Sequence, residues 1–141
     1  MEVNNRVYPN GEQIQGFLEP GPDGAICMVN LLKFKPQAEY EDGRESDLTG
    51  REAYEIYEAG VTKILEKVGG SIGFFGEVER LTMGEVEELW DTVALAVWPS
   101  RKVMFEVMQS EDMQAIAVHR AAGLAGQLNI ETRDLAGSWI S

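Results

Sequence analysis

Hydrophobic residues run almost without interruption through residues 25–34, AICMVNLLKF, a pattern typical of a strand covered on both faces. A broad apolar stripe at helical spacing follows Thr49. The stripe is preceded by a capping box, TGRE, in which Glu52 lies three residues after the capping hydroxyl, and it ends at the Gly-Gly pair 69–70. The pattern predicts a strand, a solvated acidic loop over 35–48 and a helix.

The rest of the chain alternates between short apolar runs and helical patterns. The predicted elements are strands at 71–79, 91–99 and 126–133 and helices at 101–109 and from 111 to about 124. Ser100 and Ser110 are suited to cap the two helices. The order strand, helix, strand, strand, helix, strand predicts an α+β fold of the ferredoxin-like βαββαβ type, an antiparallel sheet with its helices on one face.

A chain of 141 residues fits one domain with a substantial core. Residues 1–24 are rich in turn formers and are predicted to be an N-terminal arm, in which EQIQGFL can form a helical turn. The single domain is predicted to cover 25–135, with the loop 35–48 as an insertion, and 136–141 form a C-terminal tail.

The first and third strands carry apolar residues on both of their faces. In the first strand the two faces are predicted to hold Cys27, Val29 and Leu31 on one side and Ile26, Met28 and Leu32 on the other. In the third strand Val93, Leu95 and Val97 oppose Ala94, Ala96 and Trp98. If the helices cover one face, the other leaves a large apolar surface that a monomer would expose. The pattern therefore predicts a homodimer, in which a second copy covers that face.

The chain is strongly acidic, with 12 Lys and Arg against 24 Asp and Glu and a formal charge of −12. Such a surface repels phosphate backbones and anionic lipid heads, so neither nucleic acid nor a membrane is expected as a partner. No apolar stretch has the length of a signal peptide or a membrane span, and we expect a cytoplasmic protein. Cys27, the single cysteine, is expected to be a buried small hydrophobe.

Three segments together resemble a known family. They are MVNLLKFK, GREAYEIYEAGVTKILEKVGG and WDTVALAVWPSRKVMFEVMQSEDMQAIAVHRAAGL, and they lie within residues 25–133. They resemble the domain of unknown function 1330 family of the dimeric α/β-barrel superfamily. The resemblance implies that two protomers pack sheet to sheet into a barrel. The loop 35–48 and the N-terminal arm look longer than in the shorter members, and they either cover a pocket or decorate the surface.

Candidate chemistry centres on His119, Arg120 and Asn30. Helical spacing places Arg120 close to the apolar stripe of its helix, where a guanidinium needs an anionic partner. That partner is either a ligand carboxylate or one of Asp91, Glu77 and Glu131 in a structural ion pair. His119 is a candidate general acid or base, or else a satisfied surface histidine. Asn30 interrupts an apolar strand, so its amide either braces the backbone or faces a cavity.

Aromatic and acidic side chains near these positions are candidates for binding a ligand, although each also has a structural interpretation as core or turn. They are Tyr54, Tyr57, Phe74, Trp90, Asp91 and Trp98. No cysteine-based zinc cluster, phosphate loop or calcium loop is present, so neither a metal nor a cofactor is expected.

Three functions are compatible with these residues. Superfamily relatives include cofactor-free monooxygenases and muconolactone isomerases, so the resemblance implies an enzyme acting on a small apolar or carboxylate-bearing molecule. A non-catalytic ligand-binding or structural dimer is the alternative. Haem binding is the third, because some relatives surround haem with an asparagine, a tryptophan and a histidine, which here correspond in order to Asn30, Trp98 and His119.

Overall fold

The computed structural model of the chain describes residues 1–22 and 24–135, and the predicted tail at 136–141 lies outside the described residues. The helices are α1 (Gly11–Gly16), α2 (Gly50–Lys67), α3 (Arg101–Met108) and α4 (Glu111–Gly123). The strands are β1 (Ile26–Phe34), β2 (Ser71–Glu77), β3 (Thr92–Trp98) and β4 (Leu124–Thr132). Within the described ranges, no helix has the combined length and apolar character that a membrane span requires.

The four strands form one antiparallel sheet in the order β2-β3-β1-β4. This is the arrangement of a βαββαβ unit, so the predicted α+β, ferredoxin-like fold is confirmed. One boundary differs from the prediction. Strand β4 begins at Leu124, directly after α4, because Leu124 is fully buried and pairs with Phe34.

The helix starts follow from local hydrogen bonding. The Thr49 hydroxyl accepts from the Glu52 amide at 3.1 Å, and the Glu52 carboxylate accepts from the Thr49 amide at 2.9 Å, so the predicted capping box is present. The Ser100 and Ser110 hydroxyls cap α3 and α4 by accepting from the Val103 and Met113 amides. Helix α2 ends before Gly69, whose φ of 88° is a conformation that glycine adopts without strain.

The core lies between the sheet and the helices. Side chains of β1 and β3 that face the helices pack against α2, α3 and α4 in two main clusters. The buried members are Ile26, Met28, Val61, Leu65, Trp98, Met104, Val107 and Met113 in one, and Leu32, Phe34, Tyr54, Ala94 and Leu124 in the other. At roughly 1.5–3 kcal/mol for each large side chain removed from water, this burial is the main force that holds the helices on the sheet.

Helices α2 and α4 approach each other closely at two glycines. A Cβ atom on Gly50 would lie 2.7 Å from the Gly123 oxygen of α4 and 2.1 Å from the Lys35 carbonyl oxygen after β1, and one on Gly123 would lie 2.3 Å from the Gly50 oxygen. These obstacles are backbone atoms, which cannot move aside as a flexible side chain can. The contact therefore requires glycine and fixes α4 relative to α2.

The opposite face of the sheet is apolar, and none of the four described helices covers it. Val29 pairs with Leu95 and Ile130 across three strands, with Leu31 in the next row. Phe74 opposite Leu95 is 52% exposed, and Ile130 is 46% exposed. The two-sided pattern predicted from the first and third strands is thus present in the register.

The N-terminal arm lies against the edge strand β4. Arg6 and Gln127 exchange two backbone hydrogen bonds, at 3.2 and 2.9 Å, and Val7 packs against the second core cluster. The predicted helical turn is α1, and Phe17 beyond it stacks on Phe105 with ring centroids 5.4 Å apart. The arm is therefore docked along the domain.

Candidate functional site

Asn30 points from β1 toward the helices and is only 8% exposed. Its Nδ2 donates to the carbonyls of Met28 and Ala94, each at 3.2 Å. Its Oδ1 accepts from the Gln127 side chain at 2.7 Å and from the Asn129 side chain at 2.6 Å. Because a buried amide must satisfy its hydrogen bonds, these four contacts explain how Asn30 is tolerated in an apolar strand.

Arg120 joins this group through Gln127. The guanidinium Nη2 of Arg120 donates to Gln127 Oε1 at 2.7 Å, and the side chain is partly buried. In the part of the chain that the structure describes, no carboxylate lies within ion-pair distance of it. We call Asn30, Arg120, Gln127 and Asn129 the amide cluster.

The three carboxylates predicted as structural partners of Arg120 are bound to other cations. Asp91 pairs with Lys33 at 3.5 Å, Glu77 with Arg51 at 2.9 Å and Glu131 with Arg101 at 2.6 Å. Of the two alternatives left open for Arg120, an ion pair with one of these three carboxylates is not the one that the structure shows. The reason is geometric, since each carboxylate has a basic side chain within reach, whereas Arg120 faces the amide of Gln127.

Tyr54 and Tyr57 extend from α2 beside the amide cluster, with ring centroids 5.4 Å apart. Among the described residues, neither hydroxyl has a hydrogen-bond partner. Burial raises the pKa of both hydroxyls, and the positive charge of Arg120 acts on them in the opposite direction. The two tyrosines therefore remain protonated and can donate hydrogen bonds.

His119 faces a different neighbour. Consecutive helical residues diverge by about 100°, so His119 and Arg120 point in different directions. His119 Nδ1 lies 2.7 Å from the Tyr40 hydroxyl, and the two rings meet edge to face. Burial lowers the pKa of His119, and the positive charge of Arg44 lowers it further. His119 thus connects α4 to the loop 35–48 and makes no hydrogen bond to the amide cluster.

The other predicted ligand contacts lie elsewhere. Trp98 is 4% exposed in the first core cluster, the Trp90 indole donates to Asn5 at 2.7 Å, and Asp91 accepts from the Phe34 amide at 2.8 Å. Phe74, a candidate ligand contact, lies on the uncovered sheet face and therefore does not line the space between the sheet and the helices. A bulge between Ile72 and Phe74 shifts the alternation by one residue and turns Phe74 outward.

Sequence reasoning missed Gln127 and Asn129, although a signal for them exists. In QLNIE the polar residues Gln127, Asn129 and Glu131 alternate with the apolar Leu128 and Ile130. The apolar pair faces the uncovered side of the sheet, so the polar row must face the helices. Combined with the two-sided pattern of the other strands, this alternation indicates a polar interior at β4.

The amide cluster reaches the surface at the edge of the sheet. Asn129 is exposed although its amide contacts the buried Asn30. The arm crosses the same edge, and the Tyr8 hydroxyl donates to the Glu41 carboxylate in the loop 35–48. The charge of Arg120 also acts on Tyr8, which places the junction of arm and loop near the guanidinium.

Other surface features do not coincide with this cluster. Two open depressions lie elsewhere, one over α2 between Glu55 and Glu66 and the other beside Arg51 and Asp91. In residues 1–22 and 24–135, no group of three or more His, Cys, Asp or Glu side chains is arranged to hold a metal ion.

The fold and the cluster define a class of α+β protein. A four-stranded antiparallel sheet carries helices on one face, and a partly buried arginine with a neutral partner lies between them at the sheet edge. No family model matches the chain, and no curated protein matches it either. Membership in the domain of unknown function 1330 family is therefore not established, and what is supported is the ferredoxin-like fold.

Solved structures give the closer comparison. The chain is similar to the RPA0582 protein of Rhodopseudomonas palustris, a protein of unknown function: the methylated form has a TM-score of 0.85 at 29% identity, over 96% of this chain and 99% of that one. A second structure of that protein gives 0.83 at 28%, over 94% and 98%. A dabb family protein with a ferredoxin-like fold from Mesorhizobium loti gives 0.47 at 14%, over 79% and 98%, and no argument rests on it.

Proposed function

We propose that this protein binds a small carboxylate-bearing molecule at the amide cluster. The observation that carries the proposal is the partly buried guanidinium of Arg120, which has the neutral amide of Gln127 as its partner. Moving a charged group out of water costs several kcal/mol unless an opposite charge compensates for it. A ligand carboxylate would supply that charge and use the remaining N–H donors of the guanidinium.

The surroundings of Arg120 suit a planar carboxylate on an apolar body. The guanidinium fork matches two carboxylate oxygens, whereas a single cation near the acidic loop 35–48 is poorly suited to a phosphate dianion. Tyr57, which is partly buried, offers its aromatic ring to the body of the ligand and its hydroxyl as an additional donor, while the Tyr54 ring packs beside it in the core. No metal or other cofactor takes part in this proposal.

Benzoate tests the proposal, with benzamide as its neutral counterpart. We expect the protein to bind benzoate at least about tenfold more tightly than benzamide, because only the carboxylate gains a charge-assisted bond to Arg120. In Arg120→Gln this preference should disappear, as measured by isothermal titration calorimetry at fixed ionic strength.

The matched control is Arg80→Gln, which removes the same charge from an exposed site. Its preference for benzoate should equal that of the unmodified protein. Equal binding of benzoate and benzamide by the unmodified protein, or a preference that survives in Arg120→Gln, would refute the proposal.

The same site could also serve an enzyme, and the enzymatic alternative is a cofactor-free oxygenase or isomerase. The donors of Arg120, Tyr54 and Tyr57 suit an enolate oxygen in the same way as a carboxylate. A reaction also needs a base that reaches the ligand, and His119 bonds to Tyr40 instead. Haem binding has less support, because Trp98 lies in the core and Asn30 has all its hydrogen bonds satisfied by the protein. We therefore favour binding without catalysis.

We also propose that the protein is a homodimer whose protomers pack through the uncovered sheet face. The support is a patch of two adjacent apolar rows on this face. Val29, Leu95 and Ile130 form one row with Phe74 at its side, and Leu31 and Leu128 belong to the next. A contiguous apolar patch of this kind is unusual on a monomer. A second copy offers the same surface, so the two sheets would pack face to face, as in the barrel that the resemblance implies.

A further inference from the structure

The hydrogen bonds of the amide cluster can run in one direction only, because its two ends have fixed polarity. The guanidinium of Arg120 only donates, and the carbonyls of Met28 and Ala94 only accept. Gln127 must therefore present its oxygen to Arg120 and its amino group to Asn30, at 2.7 Å on each side. Asn30 must in turn direct its own amino group at the two carbonyls.

This directed chain fixes Arg120 without neutralising it. A glutamate at position 127 would have nearly the volume of glutamine, but its carboxylate would neutralise the positive charge of Arg120. The neutral amide of Gln127 leaves that charge available. We propose that Asn30 and Gln127 are positioning residues, which hold Arg120 with its charge uncompensated so that a ligand carboxylate completes the cluster. This inference rests on the proposed carboxylate-binding function.

The competing carboxylate on the same strand face is already engaged. Glu131 follows Gln127 and Asn129 in the row of β4 that faces the helices, and a long side chain there is a potential partner for Arg120. Arg101 binds it instead with two hydrogen bonds, at 2.7 and 2.6 Å. An ion pair at one end of the row therefore keeps a negative charge away from the other end.

The substitution Gln127→Glu tests the inference, because it places a negative charge beside Arg120 with little change in volume, although it also removes the hydrogen bond that the Gln127 amino group donates to Asn30. We expect the affinity for benzoate to fall by about tenfold or more, to the level of Arg120→Gln, because the new carboxylate occupies the guanidinium. Gln127→Met removes both hydrogen bonds and adds no charge, so binding should weaken by a smaller factor. Gln114→Glu, an exposed change of the same type on α4, should bind benzoate like the unmodified protein.

A measurement without ligand separates this inference from the proposed function. In a double-mutant cycle of Arg120→Gln and Gln127→Glu, the folding equilibrium constants should show favourable coupling of about tenfold near neutral pH. The coupling should vanish in acid, where the new carboxylate is protonated.

The outcomes are distinct. Full benzoate affinity in Gln127→Glu, while Arg120→Gln loses it, would overturn the positioning role and leave the binding function intact. Absence of coupling in the cycle would overturn it as well. If the unmodified protein shows no preference for benzoate, the proposed function fails, and any coupling in the cycle then marks a purely structural contact, which also overturns the inference.

Discussion

At the scale of single residues, the informative feature of this protein is the choice of hydrogen-bond partner. A hydrogen bond to a charged group contributes about 1.5–3 kcal/mol, which offsets only part of the cost of taking a guanidinium out of water. The single bond from Arg120 to Gln127 therefore leaves this arginine undercompensated. By contrast, the arginines at 51 and 101 each form a two-bond ion pair with a glutamate.

The pH dependence of stability should reveal the environment of His119. Its pKa is lowered in the folded protein, first by burial and then by the charge of Arg44, so the unfolded chain takes up the proton first as the pH falls. The stabilising contribution is thus present above about pH 6.5 and is lost as the pH falls toward the lower folded-state pKa. The unmodified protein should lose more stability than His119→Gln between about pH 7.5 and 5, measured by urea unfolding.

Glutamine at this position can still accept from Tyr40, and the two proteins carry the same carboxylates, so the difference between them reports on the imidazole. Equal losses in the two proteins would contradict the assigned environment of His119.

The sequence predicted two residues of the cluster, Asn30 and Arg120, but not the residue that joins them. Two patterns in the sequence indicate a side chain that requires a polar partner: an arginine at the edge of an apolar stripe and an amide within an apolar strand. The identity of that partner depends on strand register. Local sequence does not reveal it, because Asn30 and Gln127 are 97 positions apart. Phe74 was misplaced for a related reason, because one bulge reverses the face of every later residue in β2.

At the scale of elements, the helices and strands followed from local signals. The caps at Thr49, Ser100 and Ser110 set the helix starts, and period-two or continuous apolar runs defined the strands. The approach of α2 to α4 was not predictable, because Gly50 and Gly123 lie within or next to ordinary helical patterns. Their role as contact points depends on tertiary packing.

The substitution Gly50→Ala should destabilise the protein by about 2 kcal/mol or more, because the added Cβ meets the Lys35 carbonyl and forces the backbone to shift. The free energy of unfolding in urea is the measurement. Gly16→Ala is the control: it lies in α1, where a Cβ meets nothing within 4 Å, and it should be neutral or slightly stabilising. A fully stable Gly50→Ala protein would show that the helices have room to separate.

At the scale of the molecule, the uncovered sheet face determines the expected assembly. Leu95 lies at its centre, between Val29 on β1 and Phe74 on β2. We expect the unmodified protein to be a dimer in native mass spectrometry and Leu95→Glu to be a folded monomer, because two opposed carboxylates would be buried in the interface. The control is Ile56→Glu, an exposed apolar position on α2, which should remain dimeric.

A monomeric unmodified protein would refute the proposed dimer, and a Leu95→Glu variant that remains dimeric would place the contact elsewhere. Circular dichroism of the monomeric variant checks that the helices and strands are retained.

The long sequence separation between Asn30 and its partners in β4 has a consequence for how the protein folds during synthesis. Strand β1 is synthesised before β4, and Gln127 and Asn129 are added 97 and 99 residues after Asn30. Until then the Asn30 oxygen has no side-chain donor, and one edge of the central strand β1 is unpaired. A nascent chain stalled before β4 therefore carries an open strand edge beside a polar gap in its core, which is the type of species that chaperones retain. Strand β4 thus completes the sheet and the candidate site in a single step.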